Sequence, residues 1–343
     1  MAEDTDELRT GAPGDEDKEG GPVKSFLEHL EDLRWVLIKS IVALGVAVLL
    51  CLVACDKVVS ILEYPLKRAS VHYPKSTQVV TFMFSSNRLG VFKLPPAERQ
   101  IFDFGTNQFV TFHIEPIRQK EDTNLFVLGL REDSDSSEAT KLSVTIVQNS
   151  PAGAFMVAMQ VAIYAGSILA SPFILYFIAN FVFPALRIKE RKYVYRGLFY
   201  AVALFLTGVS FCYFALLPVA LSASVIYTEW MGFSVQWWQA DTYIGFVSKF
   251  MLGMGLGFEM PVIILVLVKI GFLNYTILSK ARRYVIIINL VLGAVLTTPE
   301  VITQVLMAVP LQALYEITIW VAWYWEWKEK KRTAALEAKA AGK

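Results

Sequence analysis

The sequence predicts an all-α polytopic membrane protein. It has six transmembrane helices, both termini in the cytoplasm, and a small β-rich extracytoplasmic insertion between helices 1 and 2. Three observations predict this. Of 343 residues, 55% are hydrophobic and 18% charged, where a soluble domain carries roughly 25% charge. Six apolar runs approach or exceed the roughly 20 residues that a spanning helix needs. Lysine and arginine collect on alternate connections between those runs, which sets orientation.

The remaining composition excludes several function classes. The net charge is +1 and no basic patch stands apart from the membrane flanks, so no nucleic-acid partner is expected. Cys51, Cys55 and Cys212 lie in or beside apolar stretches, and His29, His72 and His113 are far apart. That spacing makes neither a disulfide framework nor a metal site. No cofactor is implied.

Residues 1–24 are acidic, rich in Gly and Pro and without aromatics, the composition of a disordered tail. Residues 25–68 hold an amphipathic helix and the first span. Ser25-Phe26-Leu27-Glu28 is a capping-box pattern. Phe26, Leu30, Leu33 and Leu37 recur at helical spacing opposite Glu28, Glu31, Asp32 and Arg34. That segment is expected to lie at the cytoplasmic interface and run into the span Trp35–Cys55, whose one charge is Lys39. Leu52-Val53-Ala54-Cys55 has the form of a lipoprotein cleavage box or of a plain helix end.

Residues 69–150 are too polar for the bilayer and too patterned for disorder. Val110, Phe112 and Ile114 alternate with Thr111, His113 and Glu115, and Leu142, Val144 and Ile146 alternate likewise. Runs near 77–84, 88–94 and 125–130 are rich in β-formers, and Pro95-Pro96 reads as a break. The expectation is an antiparallel β-domain of about four or five strands.

Residues 151–325 carry the other five spans: Gly153–Leu186, Gly197–Thr228, Tyr243–Val268, Tyr284–Pro299 and Val301–Trp325. The fifth span is short, about 24 Å at helical rise against roughly 30 Å of hydrocarbon. Arg187, Lys189, Arg191, Lys192 and Arg196 separate helices 2 and 3, and Lys280, Arg282 and Arg283 separate helices 4 and 5. The tail, 326–343, is basic, while 229–242 contains no Lys or Arg. Trp230, Trp237 and Trp238 suit the outer interface, and Trp323, Trp325 and Trp327 the inner one.

An ionisable group inside a spanning helix is a functional hypothesis by default. Glu259 stands beside Pro261, which is expected to bend the helix. It is either a protonated group bonded to a neighbouring helix or a contact for a partner or substrate. Glu316, with Gln312 one turn before it and Gln304 nearer the helix start, reads as helix-to-helix glue. Glu190 is the one acid among five cations in its loop. No phosphate loop, nucleophile–base pair or metal cluster is present, so no catalysis is expected.

These residues resemble a known family. His29-Leu30-Glu31-Asp32-Leu33-Arg34 resembles the HLEELR motif of TatC, the polytopic subunit of the Sec-independent twin-arginine protein translocase. Tyr64-Pro65-Leu66 follows the first span. Phe181 to Arg191 resembles the family's F-x-x-P-A-L-x-x-x-E-R loop, Phe258-Glu259-Met260-Pro261 its F-E-x-P, and Leu296-Thr297-Thr298-Pro299-Glu300, with Gln304 beyond, its L-T-P-P-D. The match covers about 25–70 and 150–325.

The resemblance implies a multi-pass protein of the bacterial cytoplasmic (inner) membrane that assembles with further copies of itself. It implies binding of twin-arginine signal peptides on folded cargo and action with single-span TatA- and TatB-like partners, powered by the proton motive force. The signal-peptide set it implies is Glu190, Asp32, Glu31, Phe181, Arg34 and Pro65. The intramembrane polar set is Glu259, Gln304, Glu300 and Glu316, with Glu259 on the concave face that partner helices approach. Asp32 replaces the usual Glu, Glu300 replaces the usual Asp, and the insertion of some 60 to 70 residues is additional. The alternative reading is a proton-coupled secondary transporter of a small solute using Glu259; a membrane-embedded enzyme is the third.

Overall fold

The computed structural model describes residues 26–70, 78–85, 87–94, 108–118, 126–133, 144–182, 191–233, 237–296 and 301–341. The acidic tail 1–24, Glu190 and Glu300 lie outside the described residues. The chain begins with α1 (Phe26–Val53) and α2 (Cys55–Arg68). Four strands follow, β1 (Gln78–Phe84), β2 (Asn87–Leu94), β3 (Phe109–Arg118) and β4 (Phe126–Asp133), then a short β5 (Thr145–Val147). The rest is helical: α3 (Gly153–Val182), α4 (Arg191–Phe211), a π-turn (Cys212–Leu216), α5 (Leu217–Trp230), α6 (Ala240–Ile270), α7 (Tyr275–Leu296) and α8 (Val301–Ala341). A last strand, β6 (Trp237–Gln239), precedes α6.

The amphipathic segment and the first span form one helix. Phe26–Val53 is 28 residues, about 42 Å at 1.5 Å per residue. Its inward positions are Asp32, Val36, Ser40, Ala43, Leu44, Ala47, Val48 and Cys51, a recurrence of three and four that makes one stripe. The stripe packs on α3. The contact is close because α3 presents Gly166: a Cβ there would lie 2.8 Å from Val48 Cγ2 and 2.9 Å from its backbone. Without hydrocarbon–water contrast between helices, small residues and close approach supply the attraction. Only 11% of the apolar core of the span Leu30–Val53 is buried, so most of α1 faces outward.

Proline places the irregularities. Pro218, at the start of α5, lacks an N–H for the preceding turn, and the chain widens there into the π-turn. Pro172 inside α3 leaves the Ile168 carbonyl without its helical donor, and the Ser171 hydroxyl donates to that oxygen at 2.8 Å. Pro65 inside α2 likewise leaves the Ile61 carbonyl, and the Tyr213 hydroxyl donates to it at 2.7 Å. Tyr243 donates to the neighbouring Leu62 carbonyl at 2.8 Å. The main apolar core gathers here, with Val161, Cys212, Leu217, Val247, Phe250, Met254 and Met307 fully enclosed.

Five helical segments among the described residues are long and apolar enough to cross a membrane: Leu30–Val53, Gly153–Phe181, Gly197–Trp230, Ala240–Ile270 and Val301–Ala338. The expected fifth span, α7, differs from the sequence expectation. Lys280, Arg282 and Arg283, expected in a loop, lie inside the helix, leaving Tyr284–Leu296 as its apolar part. The same holds for Arg191, Lys192 and Arg196 in the first turns of α4. Long cationic side chains reach polar surroundings from within a helix, so a charged run does not end one. The basic tail continues α8 without a break to Ala341.

The strands form a mixed sheet of order β2-β1-β3-β4, not the antiparallel one expected. β2 ends beside the start of β1, with Leu94 opposite Gln78. β3 pairs with the other edge of β1 and starts opposite Val79, running parallel to it. Phe82 sits between Phe92 and Phe112, each ring 5.6 Å away. The 142–147 run is not part of this sheet: β5 pairs in parallel with β6, far along the chain. Trp238 of β6 stacks on Tyr243 at 6.1 Å and packs against the core, while Trp237 remains exposed. Lys93 of β2 forms an ion pair with Glu229 of α5, tying the sheet to the same end of the bundle.

Candidate functional site

The acidic end of α1 and the last turn of α3 are the described parts of the implied signal-peptide site. α2, which follows α1, packs with the first turns of α3, so α3 runs back along α1. Val48 and Gly166 face each other. From Val48 back to Asp32 is 16 residues, and from Gly166 on to Phe181 is 15, about 24 Å and 22 Å of helix respectively. Asp32 and Phe181 therefore reach the same level at one end of the bundle. Both are half-buried.

The helical phase separates the neighbouring charges. Asp32 starts the inward stripe of α1, whereas Glu31 and Arg34 are exposed. Glu190 follows the end of α3 in sequence and lies outside the described residues. Pro65 is not brought to this group. It is buried in α2, beyond the far end of α1, where it serves the Tyr213 contact. The 21 residues from Asp32 to Val53 alone span about 32 Å.

The intramembrane polar residues divide into two kinds. Gln304 Nε2 donates to the Leu290 carbonyl at 2.8 Å, joining α8 to α7. Asn289 Nδ2 donates to Gln312 Oε1 at 3.3 Å, Gln312 Nε2 to Glu316 Oε1 at 3.5 Å, and Glu316 Oε2 lies 3.2 Å from Arg282 Nη2. Together with Tyr315, which donates to the Leu278 carbonyl at 2.8 Å, these form a polar ladder between α7 and α8. Glu316 thus joins helices, as its spacing from Gln312 suggested.

Glu259 is the other kind. It is 5% exposed, and its Oε1 has no hydrogen-bond partner among the described residues. α6 continues unbroken through Pro261. Around it the helices close tightly: Gly255 faces Phe205 and Val209, Gly257 faces Leu311, and Phe258 lies against Gly208 and Phe211. The carboxyl is enclosed between helices of this chain. A buried acceptor without a partner is costly and calls for an occupant or a movement.

No group of three or more His, Cys, Asp or Glu side chains capable of holding a metal occurs among the described residues. His113 of β3 is half-buried with Nε2 3.6 Å from Asp133 Oδ2. Sequence reasoning missed Tyr213, Tyr243 and Arg282. A proline four residues after a carbonyl was the available signal for Tyr213; no local signal marked the others.

Comparison with known proteins gives consistent findings. The family described as Sec-independent protein translocase protein (TatC) matches residues 28–310. A relative of that description from Akkermansia muciniphila is 42% identical over 184 residues, 53% of this chain and 53% of that protein. One from Aquifex aeolicus is 37% identical over 182 residues, 52% of this chain and 74% of that protein. The alignment thus spans about half the length of the first of these relatives. A crystal structure described as the twin arginine translocase receptor TatC is similar with a TM-score of 0.58 and 27% identity, covering 86% of this chain and 97% of that one. A second, of the same receptor in DDM, gives 0.59 and 26%, covering 86% and 99%. The helices, the ordered motifs and a match over residues 28–310 converge, and the chain belongs to the TatC family.

Proposed function

We propose that this chain is the receptor subunit that recognises twin-arginine signal peptides of folded proteins. With TatA- and TatB-type partners it moves them across the membrane on the proton motive force, without catalysis of its own. The observation that carries the reading is the convergence of Asp32 and Phe181 at one level, on the end of the bundle where Glu190 follows in sequence. Paired guanidinium groups require carboxylates in fixed geometry, because charge-assisted bonds supply both energy and orientation.

The topology that serves this function has six spans. α7 is the short one, with its first turns among headgroups and its apolar part shielded by α8. Both termini are cytoplasmic and the β-sheet is outside. The Lys/Arg distribution supports that orientation. Cysteine labelling of positions near 110 and 235 from outside, and near 280 and 335 from inside, is the expected pattern; cytoplasmic labelling of position 110 overturns it.

Recognition is tested with a twin-arginine peptide and the full chain in nanodiscs at fixed salt. A charge-assisted bond is worth about 1.5–3 kcal/mol, so Glu190→Gln or Asp32→Asn should weaken binding about 10- to 150-fold. A twin-lysine control should change little. If both variants bind as the parent does, the assigned site is wrong. Glu259 serves partner contact in this reading: its enclosed oxygen meets a polar group of an approaching helix once the surrounding helices move apart. Glu259→Ala should then lower crosslinking to a TatA- or TatB-type helix while sparing peptide binding.

A further inference from the structure

Outside the signal-peptide site, α7 and α8 enclose an open cleft of about 370 Å³ lined by Tyr275, Arg282, Trp320, Trp323 and Tyr324. The lining follows helical spacing. Trp320, Trp323 and Tyr324 share one face of α8, and Tyr275 and Arg282, seven residues apart, share one face of α7. The rings are not there to fill a core, since Trp320 is 68% exposed and Trp323 51%. Arg282 is held by Glu316 through Nη2 at 3.2 Å, yet its Nε is enclosed without a hydrogen-bond partner among the described residues. A guanidinium carries five donors and the Arg282 side chain is 41% exposed, so outer N–H groups beyond the contact with Glu316 remain for an anionic oxygen.

Both signs of charge stand beside the lining, with Glu316 on Arg282 and Glu326 on Tyr275. Lys269 Nζ lies 5.9 Å from the Trp325 ring centre, Arg283 5.0 Å from Tyr284 and Lys331 5.2 Å from Trp327. The N-terminus of α7 is already used, because Glu326 Oε1 accepts the Tyr275 N–H. The cleft therefore offers one anchored guanidinium and an aromatic wall, on a helix that also carries Lys280 and Arg283.

We propose that this cleft seats the headgroup phosphate of an anionic phospholipid, with Arg282 holding a phosphate oxygen and the Trp and Tyr rings flanking the glycerol and upper acyl chain. The aromatic wall selects the lipid over a free phosphate, which would meet one guanidinium and otherwise lose hydration against rings. Arg282, with Lys280 and Arg283 on the same helix, favours an anionic headgroup over a zwitterionic one. Arg suits the site better than Lys because its planar donors fix the phosphate direction.

The test is native mass spectrometry of the full chain released from micelles containing phosphatidylglycerol or phosphatidylcholine. The parent should retain phosphatidylglycerol at about tenfold lower lipid concentration, the size of one charge-assisted contact. Arg282→Gln alone strands Glu316, so it is made together with Glu316→Gln, which removes both members of the pair. That double variant should lose most of the preference. Trp320→Ala with Trp323→Ala, at exposed positions, should weaken retention of both lipids while the thermal midpoint stays unchanged. Undiminished phosphatidylglycerol retention in either double variant overturns the proposal. Displacement by millimolar inorganic phosphate, or equal retention of the two lipids by the parent, overturns it as well.

Discussion

The two ends of the bundle are built differently. At the end where α1 finishes, α2 lies across the helices. Its exposed carbonyls take hydroxyl donors from Tyr213 and Tyr243, and Cys212, Leu217, Val247 and Phe250 are enclosed beneath. At the other end, α1 carries Glu31, Asp32 and Arg34 on a helix that little covers, and α7 and α8 leave a cleft open between them. A closed end can hold helices in register while the open end presents charge to a ligand. Packing precision thus sits far from the proposed recognition residues and would act on them through the helices.

That coupling can be broken at Gly166, and the largest effect is expected there. A Cβ on Gly166 meets the backbone of Val48 at 2.9 Å, which no side-chain rotation relieves. Gly166→Ala should cost about 1–3 kcal/mol, the usual range for overpacking. It should also weaken twin-arginine peptide binding, because α1 shifts relative to Phe181. Gly45, exposed on the same α1 helix, has nothing within 4 Å of an added Cβ. Gly45→Ala should leave both properties unchanged. Unfolding midpoints in detergent and peptide affinity for the two variants make the check; equal behaviour would mean that the close contact does not set the register.

At the open end the comparison sharpens between adjacent acids. Asp32 starts the inward stripe of α1 and Glu31 points away from it. Asp32→Asn should therefore reduce twin-arginine affinity by at least about tenfold, one lost charge-assisted contact. Glu31→Gln should cost less than about threefold, the size of an exposed and screened charge. A reversed order in the same titration would place the peptide on the outward face of α1.

Much of this is legible in the sequence. Apolar run lengths locate the long spans, and five motifs in chain order point to the TatC family. Alternation in 110–115 marks a strand, and Gln312 one turn before Glu316 marks a link between helices. Other features have no local signature. Alternation cannot say whether a strand runs parallel or antiparallel, because both arrangements present side chains with the same period of two. Nor can it show that Thr145–Val147 pairs with Trp237–Gln239 rather than with the neighbouring sheet. Arg282 reads as a loop cation only if charge is assumed to end a helix. Pro65 reads with the peptide site because it adjoins a motif, and adjacency says nothing about which end of α1 it reaches. The choice between Glu31 and Asp32 needs the phase of the α1–α3 contact.

The closed end can be probed through its hydroxyls. Tyr213→Phe leaves the Ile61 carbonyl, already deprived of a donor by Pro65, without a partner. The expected loss is about 0.5–1.5 kcal/mol, the net worth of one intramolecular hydrogen bond. Pro65→Ala in the Tyr213→Phe background should recover part of it, because an alanine there restores the helical N–H. Recovery is read from the unfolding midpoint, and its absence would mean that the proline and the hydroxyl are not linked.

The smallest effect is expected at the pair that looks most like a tether. Lys93 of β2 meets Glu229 at the end of α5, an ion pair between the sheet and the helices. Both side chains are partly exposed, at 37% and 29%. Exposed pairs are worth about 0–1 kcal/mol, because solvent screens them and two long side chains must be ordered. The β5–β6 ladder, by contrast, is continuous with the core through Val144, Ile146 and Trp238. Lys93→Ala should thus leave hydrogen exchange in β1 and β3 nearly unchanged, whereas Trp238→Ala should loosen the segment that leads from the sheet into α3. If Lys93→Ala gave the larger change, the sheet would be held by charge at its edge, and the closed end would owe less to its buried contacts than its packing indicates.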